Sequence, residues 1–238
     1  MPPQSSNSRF ISLLSKEGSA AADIPLESDA EALACGGSSP KLDSRWRGRF
    51  GMAHPFYTIG HGTRPLDEFV GLLRSVEVTL LGDVRTMPRS STNPQYNREL
   101  LPDSLRPHGI QYEHMAPLGG LRSRVREVAP EVNAFWTNKS FHNYADYAMS
   151  ERFRGALDHL RRLGATQRCA IMCAETVWWR CHRRIITDYL LAAGEQVFHI
   201  LSAAKIERAI ITEAARPQDT RLLVYPADPL AHPDLFAD

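Results

Sequence analysis

Five short apolar runs alternate with segments of helical spacing, and this alternation most limits what the chain can fold into. The runs are Phe56–Ile59, Val78–Leu81, Ile110–His114, Arg168–Cys173 and Gln196–Leu201. Each is short enough for a buried strand and closes on glycine or polar residues. Leu66, Phe69, Val70 and Leu73 recur at helical spacing after the first run. Met149, Phe153, Ala156, Leu157 and Leu160 do so within Ser140–Leu163, the longest helix expected, with Gly164 as its stop. Ile185, Ile186, Tyr189 and Leu190 follow the fourth run, in a helix from about Cys181 to Ala193. Strands and helices with connections this short predict a single Rossmann-like α/β domain. Its sheet is mostly parallel, with helices on both faces. Residues 97–106 and 203–215 are read as short helices, and 221–225 as a last edge strand. Residues 121–139 carry no clean period and are read as a mobile excursion.

The expected domain spans 54–226. Residues 1–53 are rich in Ser, Ala, Gly and Pro and read as a disordered arm, with Met52 as a candidate start of the compact domain. Residues 227–238 read as a loose tail. No run approaches the ~20 apolar residues of a membrane helix. Four cysteines in 238 residues do not form a secreted disulfide framework. A cytoplasmic protein with free thiols is expected.

In an open α/β sheet, ligands bind beyond the carboxyl ends of the strands. The unusual residues lie at those ends: Gly60-His61-Gly62 after the first run, Asp83-Val84-Arg85 after the second, Leu118-Gly119-Gly120 after the third. The fourth opens Cys173-Ala-Glu-Thr-Val-Trp-Trp-Arg-Cys-His-Arg-Arg184. Two thiols, a carboxylate, an imidazole and three guanidiniums within twelve residues mark a site rather than a core. Net charge is only +1, yet 24 of the 28 basic residues are arginine. Residues 85–126 hold seven arginines against three acids, and residues 152–184 hold eight against two. Planar forks suit phosphate and carboxylate. An anionic small molecule or nucleic acid is the expected partner, with Tyr96, Trp178 and Trp179 available for stacking.

Glu175 beside two tryptophans is the expected acid/base, its carboxylate desolvated, with a salt bridge to Arg183 or Arg85 as its structural alternative. Arg85 and Arg183 are the expected anion clamps, with Arg180, His182 and Trp178 also in substrate contact. Gly60, Gly62, Gly119 and Gly120 would let a ligand approach the backbone. Cys173, Cys181 and His61 form the expected inner site. Cys181, read as a helix N-terminus flanked by Arg180, His182 and Arg183, is expected to hold a depressed pKa, whereas Cys173 and Cys169 could equally be core. Asp83 is a second site carboxylate or the residue that fixes Arg85. No cofactor is expected. A zinc or iron ion, if present, would draw on Cys173, Cys181, His182 and His61. An enzyme acting on a phosphate-bearing nucleotide or nucleic acid is the leading reading. A non-catalytic binding module and a thiol redox or metal protein stand beside it.

Several of these residues also carry a resemblance. Tyr57-Thr-Ile-Gly-His61, Asp83-Val-Arg85 with Pro88 and Asn93-Pro-Gln-Tyr96, Leu118-Gly-Gly120, Cys173-Ala-Glu175 and Cys181-His-Arg183 resemble, in order, the domain of unknown function 488 family. The resemblance runs from about Phe56 to Tyr225. Ser91 departs from it, standing where a further arginine is expected. It implies an α/β fold, this set of candidate residues and a cytoplasmic prokaryotic protein. It implies no activity.

Overall fold

The structure, a computed structural model, describes residues 54–227. The expected arm, the candidate start at Met52, Cys35 and residues 228–238 of the expected tail lie outside the described residues. No helix among the described residues is long and apolar enough to cross a membrane.

The strands are β1 (Phe56–Gly60), β2 (Leu80–Asp83), β3 (Gln111–His114), β4 (Cys169–Cys173), β5 (Val197–Ser202) and β6 (Lys205–Arg208). They form one sheet in the order β3-β2-β4-β1-β5-β6, parallel except for β6. The helices are α1 (Leu66–Ser75), α2 (Leu101–Leu105), α3 (Lys139–Ala148), α4 (Glu151–Gly164) and α5 (Arg183–Ala192). The expected Rossmann-like α/β architecture is thus present.

Side chains alternate across the sheet, so each strand feeds two cores. Ile59, Leu81, Ala170, Met172 and Ile200 pack with Phe69 and Leu73 of α1 and Leu101 and Leu105 of α2. Phe56, Leu80, Cys169, Ile171 and Val197 face the other way, toward Tyr144 of α3, Phe153 and Leu160 of α4 and Ile185 and Ile186 of α5. Truncating one such buried Leu or Phe typically costs ~2–5 kcal/mol.

The connections explain where a site belongs. From β1 the chain crosses β4 to β2 by way of α1, on one face. From β4 it crosses β1 to β5 by way of α5, on the other face. Neighbouring strands whose connections leave to opposite faces define a switch point. Gly60 pairs with Cys173, and Asp83 with Met172 and His114, so the four parallel strand ends share one rim.

Four expectations change. The long helix is two helices, because Ser150 caps α4 through the Phe153 N–H, while Asn138 caps α3 through the Ser140 and Phe141 N–H groups. Residues 121–139 are pinned rather than loose: Asn133 and Trp136 are buried, and Asn133 donates to Asp146 (2.8 Å) and accepts from the Tyr225 N–H (3.0 Å). Residues 205–208 form β6 instead of a helix. Residues 221–225 supply only β8 (Leu223–Val224), which pairs with β7 (Arg216–Pro217) away from the main sheet. β6 follows β5 after only two residues, and what hid it is the exposed, polar pattern of Lys205–Arg208.

Candidate functional site

The β2 end is a closed polar network. Asp83 is fully buried and Arg85 nearly so. The Arg85 backbone N–H and Nε donate to Asp83 Oδ1 (3.0 and 2.9 Å), and Nη2 donates to Asp83 Oδ2 (2.6 Å) and Tyr96 O (2.6 Å). Tyr112 Oη donates to Asp83 Oδ2 (2.7 Å), and Arg85 Nη1 donates to His61 Nε2 (3.2 Å). His61 Nδ1 in turn donates to Gly62 O (2.8 Å), and its ring stacks on Tyr96 at 4.1 Å. Burial, aided by the Arg85 charge, lowers the His61 pKa to about 4. The imidazole is therefore a neutral acceptor for Arg85. Asp83 fixes the guanidinium rather than facing a ligand. One Arg85 Nη1 N–H has no acceptor among the described residues, and Arg85 lines the cleft described below.

The β1 and β4 ends are joined by backbone bonds, His61 N to Cys173 O (2.9 Å) and Gly62 N to Ala174 O (3.0 Å). A Cβ on Gly60 would lie 2.0 Å from Glu175 O, and one on Gly120 would lie 2.4 Å from His182 Nδ1. These glycines make room for other parts of the protein. The close approach expected for a ligand is taken at Gly60 by backbone and at Gly120 by an imidazole. At Gly119 and Gly62 the neighbours are Thr86 and Thr176.

Between β4 and α5 the chain makes a short 3-10 turn at Trp178–Arg180, and α5 starts at Arg183 rather than at Cys181. Cys181 and His182 are thus the two residues that enter the helix. His182 Nε2 donates to Val84 O (2.9 Å), which turns Nδ1 toward Cys181 Sγ at 3.5 Å. Arg183 Nε donates to the same sulfur at 3.3 Å, while its Nη2 donates to Glu175 O. Arg183 is fully buried and pairs with no carboxylate among the described residues. A buried guanidinium cannot shed its charge and needs a counter-anion. Cys181 supplies it. Burial pushes its thiol up, but the neighbouring Cys173 thiol, the Arg183 charge and His182 outweigh burial and hold the pKa well below that of an ordinary cysteine. Its neighbour Cys181 and burial push the Cys173 thiol the other way, well up.

These groups open on a cleft of about 390 Å³. Cys173 lines it from the end of β4, Glu175, Arg180, Cys181 and His182 from the segment between β4 and α5, Arg85 and Thr86 from the segment after β2, and Ser140 and Phe141 from α3. Arg180 is exposed at its edge. Several expected roles do not survive. Arg183 is too buried to clamp a ligand. The Glu175 carboxylate is solvent-exposed, accepts only from the Val177 N–H (3.4 Å), and is neither desolvated nor bridged to Arg183 or Arg85. Tyr96 is fully buried, and Trp178 stacks on His199 at 4.3 Å without lining the cleft. Tyr96 offers no face to a nucleobase and one face of Trp178 is taken, whereas Trp179 is exposed. Some arginines in the two enriched segments serve the fold: Arg122 donates to the carbonyls of Gly119, Ala116 and Pro117, and Arg184 to Thr212.

One set of metal-ligating types converges among the described residues. The donor atoms of Cys173, Cys181 and His182 lie within 4.8 Å of one another. His61 does not join them, since both its nitrogens are engaged at the β2 end. Tyr112, Val84 and Phe141 were missed from the sequence. Tyr112 alone left a signal, lying two residues from His114 on the same strand face.

No curated protein and no solved structure matches the chain. A family profile described as a domain of unknown function, DUF488, matches residues 65–190, which hold Asp83, Arg85, Glu175 and the whole Cys173–Arg184 stretch. That match covers more than half of the chain, so the protein belongs to the DUF488 family.

Proposed function

We propose that this domain is an enzyme that takes a small phosphate-bearing substrate into the cleft beside the Cys181 thiolate. The observation that carries the reading is the buried Arg183 guanidinium, whose Nε donates to Cys181 Sγ at 3.3 Å with no carboxylate to neutralise it. A thiolate held by a fixed cation beside an imidazole is the arrangement that nucleophilic cysteine chemistry requires. Arg85 and Arg180 line the cleft against one carboxylate, Glu175, which favours an anionic ligand. Glu175, facing water at the mouth, is positioned to pass protons to and from solvent. The burial of Tyr96 and the pairing of Trp178 with His199 leave Trp179 as the exposed ring of the three, which favours a small molecule over a nucleic acid strand.

The test is the pH profile of iodoacetamide alkylation at Cys181, followed by peptide mass spectrometry, with inorganic phosphate, pyrophosphate and adenosine monophosphate as protecting probes. The midpoint is expected clearly below the ~8.5 of a free cysteine, with protection by at least one probe. A midpoint at or above ~8.5 would overturn the thiolate. Protection by none of the three anions would overturn the substrate class.

A further inference from the structure

We infer that Cys173 and Cys181 form a reversible disulfide, with Cys181 the oxidant-sensitive sulfur and Cys173 the thiol that resolves it. The inference rests on the thiolate reading of Cys181 and adds a modification site to it. Both sulfurs line the same cleft, and they lie within 4.8 Å of one another. Bonding them to the ~2.05 Å of a disulfide needs a shift of a few ångströms. The segment between them can supply it, because Ala174, Glu175, Thr176, Trp179 and Arg180 are all exposed. Cys169, four residues before Cys173, is fully buried in the core behind the sheet and does not line the cleft. The geometry therefore selects one partner.

The chemistry balances with a hydroperoxide as oxidant. The Cys181 thiolate attacks the distal peroxide oxygen; an S–O bond forms, the O–O bond breaks, and the alkoxide or hydroxide leaves and takes a proton from solvent. Cys181 is then a sulfenic acid. The Cys173 sulfur attacks it: the S–S bond forms, the S–O bond breaks, and the departing hydroxide carries off the Cys173 proton as water. A dithiol reductant returns both electrons. Forming the disulfide removes the negative charge from Cys181 and leaves Arg183 buried without its counter-ion. That penalty falls only on the oxidised form, so this disulfide belongs with the easily reduced, regulatory kind rather than the structural kind.

The experiment uses the full chain carrying Cys35→Ser, with added Cys173→Ser or Cys181→Ser. Each protein is exposed to a small excess of hydrogen peroxide over the two equivalents that sulfinic acid requires, blocked with N-ethylmaleimide and mapped without reduction. The parent is expected to show a link between the peptide 169–180 and the peptide that begins at Cys181, assigned to Cys173 by fragmentation and lost on adding dithiothreitol. With Cys173→Ser, Cys181 is expected to accumulate as sulfinic acid instead. With Cys181→Ser, Cys173 is expected to stay reduced. A link through Cys169, or equal sulfinic acid with and without Cys173, overturns the inference. So does stoichiometric zinc, released by chelator, that must be removed before any link forms. If Cys181 neither links nor alkylates below the ordinary thiol range, the thiolate reading has failed. If it alkylates there but does not link, this inference alone has failed.

Discussion

Arg183 lies beneath the cleft with its Nε 3.3 Å from the sulfur of Cys181, and both side chains are buried inside the protein. The guanidinium on α5 is the fixed partner, and the thiol is the partner that adapts. This reverses the expected role of Arg183. It touches the reactive sulfur and not a substrate.

Replacing Arg183 should therefore move the titration of Cys181 before anything else. Arg183→Met is expected to raise the alkylation midpoint by at least one pH unit and to slow the reaction at pH 6.5 roughly tenfold, since one unit is ~1.36 kcal/mol. Arg183→Lys keeps the charge but loses the planar fork, and should fall between. An unchanged midpoint in Arg183→Met would show that the sulfur does not need this cation.

The Asp83–Arg85 pair makes a stability prediction. Asp83→Asn leaves the Arg85 guanidinium buried without its anion and should cost about 3–5 kcal/mol in urea unfolding. Tyr112→Phe removes only one hydrogen bond to that carboxylate and should cost about 1–2 kcal/mol. Equal costs for the two would mean that the ion pair is not the centre of this network.

Two buried histidines make stability depend on pH. Burial lowers both His61 and His199 to about 4 from 6.5. The unfolded chain then binds more protons than the folded one between these values. Their contribution is present above pH 6.5 and is lost as pH falls through 6.5 toward 4. Each shift is on the order of 3 kcal/mol. Asp188 opposes them: burial raises it to about 6, so its contribution is lost as pH rises from 3.8 through 6. Subtracting the pH profile of His199→Gln from that of the parent isolates one histidine. The parent should lose more stability than the variant between pH 7 and pH 4.5. Parallel profiles would refute the assignment.

Glu175 is exposed, so Glu175→Gln should change unfolding free energy by less than ~0.5 kcal/mol. Protection of Cys181 by the anion probes should persist or improve, because a negative charge has left the mouth of the cleft. Turnover of any substrate found by screening should fall. Full turnover in Glu175→Gln would remove it from the proton path.

Zinc occupancy should be well below one per chain in protein purified without chelator and assayed by atomic emission. The Arg183 charge already lies on Cys181, and the Arg85 charge acts on Cys173, so a divalent cation meets two fixed cations at the thiols it would bind. Stoichiometric zinc would reassign both sulfurs from reagent to ligand.

Much of the fold was legible because its signals are local. The runs that became β1 to β5 stood out as apolar segments between breakers, and the α1 and α5 stripes followed a period of 3.6. The division between α3 and α4 was missed although Ser150 is an ordinary cap, since the apolar spacing continues across it. β6 was missed because residues 203–215 were read as a short helix, and Lys205-Ile-Glu-Arg208 becomes a strand only with β5 beside it.

Residue types and their place at strand ends are local properties, so the sequence by itself determined that polar chemistry gathers on one rim of a parallel sheet. It also marked Cys173–Arg184 as the reactive stretch. Only the tertiary structure decided which groups are available. Burial and partner geometry depend on residues far apart in the chain: Asp83, Tyr96 and His61 close around Arg85, and Val84 O turns the imidazole of His182. Among all the arginines the sequence offered, packing left Arg85 and Arg180 lining the cleft and placed Arg183 under Cys181. A charge in water and a charge in a core are the same residue in sequence, and desolvation separates their roles.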